Sequence, residues 1–396
     1  MICNETDNYT MILIKNAQIF SPDALGKKDI LLAGNKIQFI DGSISGKAPY
    51  INTVINADSH MLIPGFIDSH CHFSGAGGEG GPATRTPEMH INDFFEAGVC
   101  TAVGCLGTDG ITRDPRSVLM KAKVLNNEGI TAYMYTGAYQ VPPPTILGSV
   151  AEDIAMIEEV IGAGEIALSD HRSSVPTTSE IAKIAADARV GGMLGGKAGI
   201  VNIHMGDAKN PFKPLYDVVE NSELGFKQFL PTHVNRNEYI FEDAKVYGRN
   251  GVVDITSSSY PYFPEYEIKP SRAAAELIAA GVPLNHITMS SDAGGSLPGF
   301  DENGKLVKLE TGKPISLLHE FRDMLREEKM SMTTAISILS TNVAEVLKLK
   351  TKGKIQPGFD ADFLILDKNL EIVVMIAKGE LIINNYKIVR KTYFSK

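Results

Sequence analysis

Two histidines one residue apart, His70 and His72, close an apolar run in "GFIDSHCH", and a glycine-rich loop with a single carboxylate, Glu79, follows them. Residues i and i+2 of a strand face the same side, so both imidazoles can grip one ion. Neutral imidazole suits Zn2+ and similar transition metals. Alone, the pair is equally compatible with two loop histidines. The rest of the chain repeats the pattern, however: His204 ends "GIVNIH", His233 ends "KQFLPTH" and Asp292 ends "HITMSSD". Each by itself reads as a polar residue at a strand end, and together they describe a metal centre. Asp170 and His171, at the end of a further strand-like run, are candidates from spacing alone. His60, His90, His286 and His319 lie in loops or on helix faces and are expected to be structural.

Such a centre needs a scaffold that brings several strand ends to one place. Eight apolar runs qualify as strands: "GFIDSHCH", "VCTAVGCL", "TAYMYTG", "EIALSD", "GIVNIHMG", "KQFLPTHV", "GVVDITSSS" and "HITMSSD". They alternate with helical segments such as "SVAEDIAMIEEVIGAG" and "PSRAAAELIAAGV", which is the signature of a parallel α/β sheet and, at eight units, of a (β/α)8 TIM-type barrel. Barrel enzymes carry their chemistry at the C-terminal strand ends, where these residues fall. The first 64 residues read instead as short strands and turns, and strand patterns return after "MTTAISILSTNVAEVLKL". The expectation is a small β-sandwich domain built from both termini, residues 1–64 with 350–396, flanking a barrel of residues 65–349.

No stretch approaches the roughly 20 apolar residues of a membrane span. The N-terminus lacks the pattern of a secretory leader, which favours a soluble, cytoplasmic protein. A net charge of −9 without a basic cluster argues against nucleic acid and membrane as partners. Cys3, Cys71, Cys100 and Cys105 show no CxxC spacing and read as reduced core thiols. "GGMLGGKA" spaces Gly191, Gly196 and Lys197 like a phosphate-binding loop, but Ala198 stands where a Ser or Thr is needed. It is expected to be a packing or active-site loop.

The motifs "PGFIDSHCH", "NIHMGD", "PTHVNRN", "SSDAGGS" and "GKIQPGFDADFLIL" resemble the metal-dependent amidohydrolase superfamily. The longer stretches "GGEGGPATRTPE", "LGTDGITR", "TGAYQVP", "SDHRS" and "RVGGMLGGKAG" are similar to the isoaspartyl dipeptidase family, and the likeness runs from about residue 10 to residue 390. The resemblance implies two zinc ions and hydrolysis of small dipeptides joined through an aspartyl β-carboxyl, by a hydroxide bridging the two ions. It implies His70, His72 and Asp292 on one ion and His204 and His233 on the other. Where that family carries a carboxylated lysine as the bridge, at the start of the fourth strand, this chain has Glu165. Glutamate also offers two oxygens, but its side chain is shorter, so the backbone must shift or one ion must bind more weakly.

The resemblance further implies Asp292 as the proton shuttle, Tyr139 as donor to the oxyanion, and Glu79 as partner of the substrate ammonium. Gly77, Thr108 and Ser296 would meet an aspartyl carboxylate, and Arg172 and Arg236 the C-terminal one. A homo-oligomer is also implied. Two alternatives stand beside this reading: another amidohydrolase, either a cyclic-amide hydrolase or a deaminase, with a glutamate bridge, and a non-catalytic scaffold.

Overall fold

The computed structural model describes residues 11–300 and 306–394; Cys3 lies outside them. Both termini contribute to one mixed sheet. Its N-terminal strands are β1 (Met11–Phe20), β2 (Ala24–Ala33), β3 (Lys36–Asp41), β4 (Thr53–Asn56) and β5 (Met61–Pro64). All eight expected barrel strands follow: β6 (Phe66–Cys71), β7 (Val99–Gly104), β8 (Thr131–Thr136), β9 (Val160–Ala167), β10 (Ile200–His204), β11 (Phe229–Thr232), β12 (Val253–Thr256) and β13 (Ile287–Ser290). A hairpin comes next, β14 (Ser296–Phe300) with β15 (Leu306–Thr311), and the chain ends in β16 (Phe363–Leu366), β17 (Ile372–Ala377), β18 (Glu380–Asn384) and β19 (Lys387–Ile388).

Strands β6 to β11 form a continuous parallel ladder and β12 pairs with β13, also parallel. Backbone bonds join the two pieces into a ring: Val234 N donates to Asp254 O on one side, and on the other Asp292 N donates to His70 O at 3.0 Å and His72 N to Ala293 O at 2.6 Å. The fold is thus of the TIM-barrel type. Helices α1 (Ile91–Ala97), α2 (Pro115–Glu128), α3 (Val150–Met156), α4 (Thr178–Gly195), α5 (Lys213–Glu220), α6 (Glu238–Tyr247), α7 (Pro270–Ala279) and α8 (Ile315–Arg326) lie between and after the strands. They share the main apolar core with the outward faces of the strands. The barrel interior holds a separate cluster that includes Ile67, Val103, Cys105, Tyr135, Ile161 and Leu230, with Val343 and Leu347 beneath. Alternate strand residues thereby serve two cores, as a period of two requires.

The terminal strands join through β16, which pairs antiparallel with β5, to give one nine-stranded sheet with its own core around Ile14, Ile30, Leu62 and Phe363. Their ladders are continuous, with β4 branching off at β1, so the terminal strands form one mixed sheet.

Two local expectations change. The segment "EVIGAG" is strand and not helix: α3 stops at Met156, and β9 begins at Val160. Glu165 therefore stands in the C-terminal half of its strand. Residues 191–195 of "GGMLGGKA", expected to be a loop, form the last turn of α4 instead. Gly196 takes the left-handed C-cap of α4 (φ +67), and Lys197 Nζ donates to the carbonyls of Ile154 and Ile157. As expected for structural histidines, His60 and His286 bond backbone carbonyls and His90 caps α1.

One buried acid in the helical shell gives the fold a pH signature. Glu320 on α8 accepts from Ser271 N at the start of α7 at 2.7 Å. Burial raises its carboxyl from an ordinary 4.5 to about 7, although the Ser271 bonds oppose the shift. The folded state binds this proton more tightly than the unfolded chain. Its contribution is therefore complete below pH 4.5 and is lost as the pH rises through about 7. Urea titrations across this window should show wild type losing about 2–3 kcal/mol relative to Glu320→Gln, which keeps the acceptor and cannot ionise. Parallel curves for the two proteins would refute it.

Candidate functional site

The C-terminal strand ends bring His70, His72, His204, His233, Glu165 and Asp292 into one buried cluster. Glu165 is fully buried, and its two oxygens divide the histidines between them. Oε1 lies 2.7 Å from His204 Nδ1 and 2.9 Å from His233 Nε2, while Oε2 lies 3.5 Å from His70 Nε2 and 3.6 Å from His72 Nε2. Asp292 Oδ1 closes the second group at 3.5 Å from His70 Nε2 and 3.1 Å from His72 Nε2.

A backbone feature makes this reach possible for so short a side chain. Val201 pairs with Ala163 and Ile203 with Ile166, so Gly164 and Glu165 together face Asn202: a β-bulge. An extra residue there re-aims the side chain. Gly164 is required at the bulge, because its φ is +150 and a Cβ would come within 2.9 Å of Asn202.

The rings are held from behind. His70 Nδ1 lies 3.0 Å from Asn202 Oδ1 and His72 Nδ1 lies 3.3 Å from Cys105 O; both partners only accept, so each Nδ1 carries the proton and each Nε2 turns to the centre. His233 Nδ1 is 2.7 Å from Thr256 Oγ1. His233 and Asp292 both adopt positive φ, +63 and +55, a conformation that non-glycine residues hold only when their surroundings enforce it.

Two observations test whether cations fit here. Glu165 Oε2 and Asp292 Oδ1 are buried, yet neither has a hydrogen-bond partner. Both carboxyls are nevertheless held ionised. Burial opposes this, but the charges of His70 and His204 outweigh it at Glu165, and the adjacent His70 and His72 imidazoles outweigh it at Asp292. At His70 and His72 burial is outweighed by Cys105 and by the carboxylates and the pKa rises, whereas burial pushes His233 down to about 4. Four imidazoles and two ionised carboxylates with unpartnered oxygens are a donor set for divalent metal. His70, His72, Cys105 and Glu165 form one possible ligand group and Glu165, His204 and His233 another.

Beside the cluster lies a charged rim. Tyr139 is buried, with its hydroxyl 2.8 Å from His204 Nδ1, and burial drives its pKa well up. Arg172 stacks over the Tyr139 ring, pairs with Asp170 through two nitrogens at 2.7 and 2.9 Å, and reaches Glu79 Oε1 at 2.8 Å. Ser296 Oγ donates to Glu79 Oε1 at 3.1 Å. Arg236 contacts His204 Nε2 at 3.0 Å. Gly77, at φ +73, abuts Ser296, where a Cβ would stand 3.3 Å from the serine Cβ. The backbone oxygen of Thr108, on the loop after β7, accepts from Gln140.

Two residues gain importance over their sequence reading. Asp170 is buried and touches His204, Arg172 and Arg236, whereas its neighbour His171 is exposed. Cys105 is buried as expected of a core thiol, but its Sγ also sits 3.6 Å from His70 Nε2. The signal for it was its place at the C-terminal end of the second barrel strand.

The amidohydrolase family model matches residues 233–388. Crystal structures of a beta-aspartyl dipeptidase from the thermophilic, keratin-degrading Fervidobacterium islandicum AW-1 superpose with TM-scores of 0.89 and 0.88 at 42% and 40% identity. They cover 97% of this chain and 100% of theirs. A dihydroorotase of Lactiplantibacillus plantarum is 23% identical over 93% of this chain and 92% of its own length. Dihydropyrimidinase from Brevibacillus agri shares the fold, with a TM-score of 0.67 at 15% identity over 96% of each chain. On its likeness to the Fervidobacterium enzyme along almost its entire length, the chain belongs to the beta-aspartyl (isoaspartyl) dipeptidase family of the amidohydrolase superfamily.

Proposed function

We propose that the protein is a metal-dependent dipeptidase that hydrolyses β-aspartyl dipeptides at this cluster. The observation that carries the reading is the division of Glu165, with one oxygen facing each pair of histidines. His70, His72, Asp292 and Glu165 Oε2 would hold one divalent ion, and His204, His233 and Glu165 Oε1 the other. Zinc suits this mixture of nitrogen and oxygen donors. Two such ions would supply a hydroxide nucleophile at neutral pH and polarise the substrate carbonyl. The Fervidobacterium relative was crystallised with β-Asp-Leu, which supports the substrate class. We also take the chain as two domains, residues 1–64 with 350–396 and residues 65–349, with every site residue in the second.

The protein's own groups divide the remaining work. Asp292 is an ionised acceptor beside the reacting centre and can take a proton and deliver it to the leaving amine. Tyr139 keeps its proton at any working pH, since burial raises its pKa, and can donate to a developing oxyanion. Glu79 offers a carboxylate to the substrate ammonium, Gly77, Thr108 and Ser296 border the aspartyl carboxylate, and Arg172 and Arg236 can fork onto the C-terminal one.

Zinc-loaded protein should cleave β-Asp-Leu and leave α-Asp-Leu and dihydroorotate intact, as read by amino-acid release and by ring-opening absorbance. Turnover of dihydroorotate instead would sink the dipeptidase reading in favour of a cyclic-amide hydrolase. Inactivity on all three by protein with bound metal would favour a scaffold. Tyr139→Phe should lower kcat by about 10²–10³-fold with KM and metal content nearly unchanged; an equal rise in KM would assign the hydroxyl to substrate binding. Glu165→Gln, which removes the shared charge, should leave fewer than two equivalents of zinc after gel filtration by elemental analysis. Full retention would refute a bridging role.

A further inference from the structure

Among the described residues, Cys105 is the soft donor at the centre that the proposed reaction does not use. It follows Gly104 at the C-terminal end of β7 and is fully buried, as are its neighbours His70 and Glu165. Its Sγ stands 3.6 Å from His70 Nε2 and 3.7 Å from His72 Nδ1. One atom each from His70, His72, Cys105 and Glu165 lies within 4.8 Å of all the others.

We propose that the Cys105 thiolate is itself a ligand of the ion held by His70 and His72, giving that position a sulfur donor and leaving the His204 and His233 position with nitrogen and oxygen alone. This rests on the two-ion reading above and deepens it.

Geometry carries the assignment. With Zn–S of about 2.3 Å, Zn–N of about 2.0 Å and the roughly 90–120° ligand angles of a five-coordinate ion, sulfur and nitrogen stand about 3.0–3.7 Å apart. The Sγ to His70 Nε2 distance of 3.6 Å matches that separation. Independently, the unpartnered oxygens of Glu165 and Asp292 face the same His70 and His72 nitrogens, so the space Sγ borders already asks for a cation. The competing role for the thiol is a weak hydrogen bond to Cys71 O, also 3.6 Å away. Such a bond would leave the sulfur protonated and uninvolved. On binding, the S–H bond breaks, a metal–sulfur bond forms, and the proton passes to solvent.

A soft thiolate biases the His70 and His72 position towards zinc, cobalt and cadmium and away from magnesium and manganese, and makes the two ions unequal.

Cobalt is the probe, because thiolate-to-Co2+ charge transfer absorbs in the near ultraviolet while the d–d bands report bound cobalt whatever its ligands. Apoprotein prepared with chelator and reductant is titrated with Co2+, and bound metal is counted by elemental analysis. Wild type should develop the charge-transfer band with one of its two equivalents. Cys105→Ser should lose the band, keep the d–d absorption of the other site, and bind one ion at least about tenfold more weakly. Cys100→Ser, whose sulfur packs against Ile376 O outside the centre, should keep the band. Two cobalt ions bound to wild type without charge transfer would overturn the thiolate ligand and leave the two-ion reading standing. No cobalt bound by a chain that is folded by circular dichroism would overturn both. The wild-type spectrum decides even where Cys105→Ser fails to fold.

Discussion

A single buried charge governs the architecture of the site. Glu165 is fully enclosed, and a carboxylate taken from water without compensation costs several kcal/mol. Its compensation comes from four histidines that three different strands deliver, so the barrel must close before the charge is tolerable. The β9 bulge, Gly164 and the Asn202 contact all exist on one short stretch of strand because that stretch aims this carboxylate. The unpartnered Oε2 shows that protein groups alone leave the compensation incomplete, which is the physical argument for cations.

Beneath the histidines a layer of buried acids keeps the strand ends in place. Asp254 gathers hydroxyl bonds from Thr232, Thr288 and Ser290, so that strands β11, β12 and β13 share one acceptor. Asp68 on β6 accepts from Ser291 N and Oγ just past β13, and burial lifts its carboxyl to about 6. These bonds tie the first strand to the last three where the metal-facing residues emerge. They lie next to the left-handed backbone at Asp292 and His233.

The barrel was legible because its strands are short, largely apolar runs between helical segments, and period and length separate the two. The histidines and Asp292 were legible for the same reason: they end those runs. Glu165 was misplaced at the start of its strand because "EVIGAG" continues an amphipathic helix pattern, and nothing local signals that α3 stops at Met156. Its bulge depends on register against Asn202, a partner 37 residues on, which no local pattern records. Asp170 and Cys105 were underrated on similar grounds, since their meaning lies in contacts with His204 and His70 from other strands. The continuity of the terminal sheet likewise depends on β5 meeting β16, about 300 residues apart in the chain.

The charged rim suggests how the proposed site would select its substrate. Arg172 is fixed by two bonds to Asp170 and spends a third nitrogen on Glu79, which also accepts from Ser296. A ligand with only an ammonium must take Glu79 from Arg172, and one with only a carboxylate must take Arg172 from Glu79; either breaks that ion pair and leaves Arg172 to Asp170 or Glu79 to Ser296. A ligand that carries both, at the spacing of a dipeptide, exchanges one ion pair for two. Because burial makes unpaired charge costly, the discrimination arises from the pair the protein already makes with itself. Asp170 would keep the guanidinium in place during such an exchange, and through His204 it joins the rim to the histidine cluster, so the proposed recognition and chemistry would share one support.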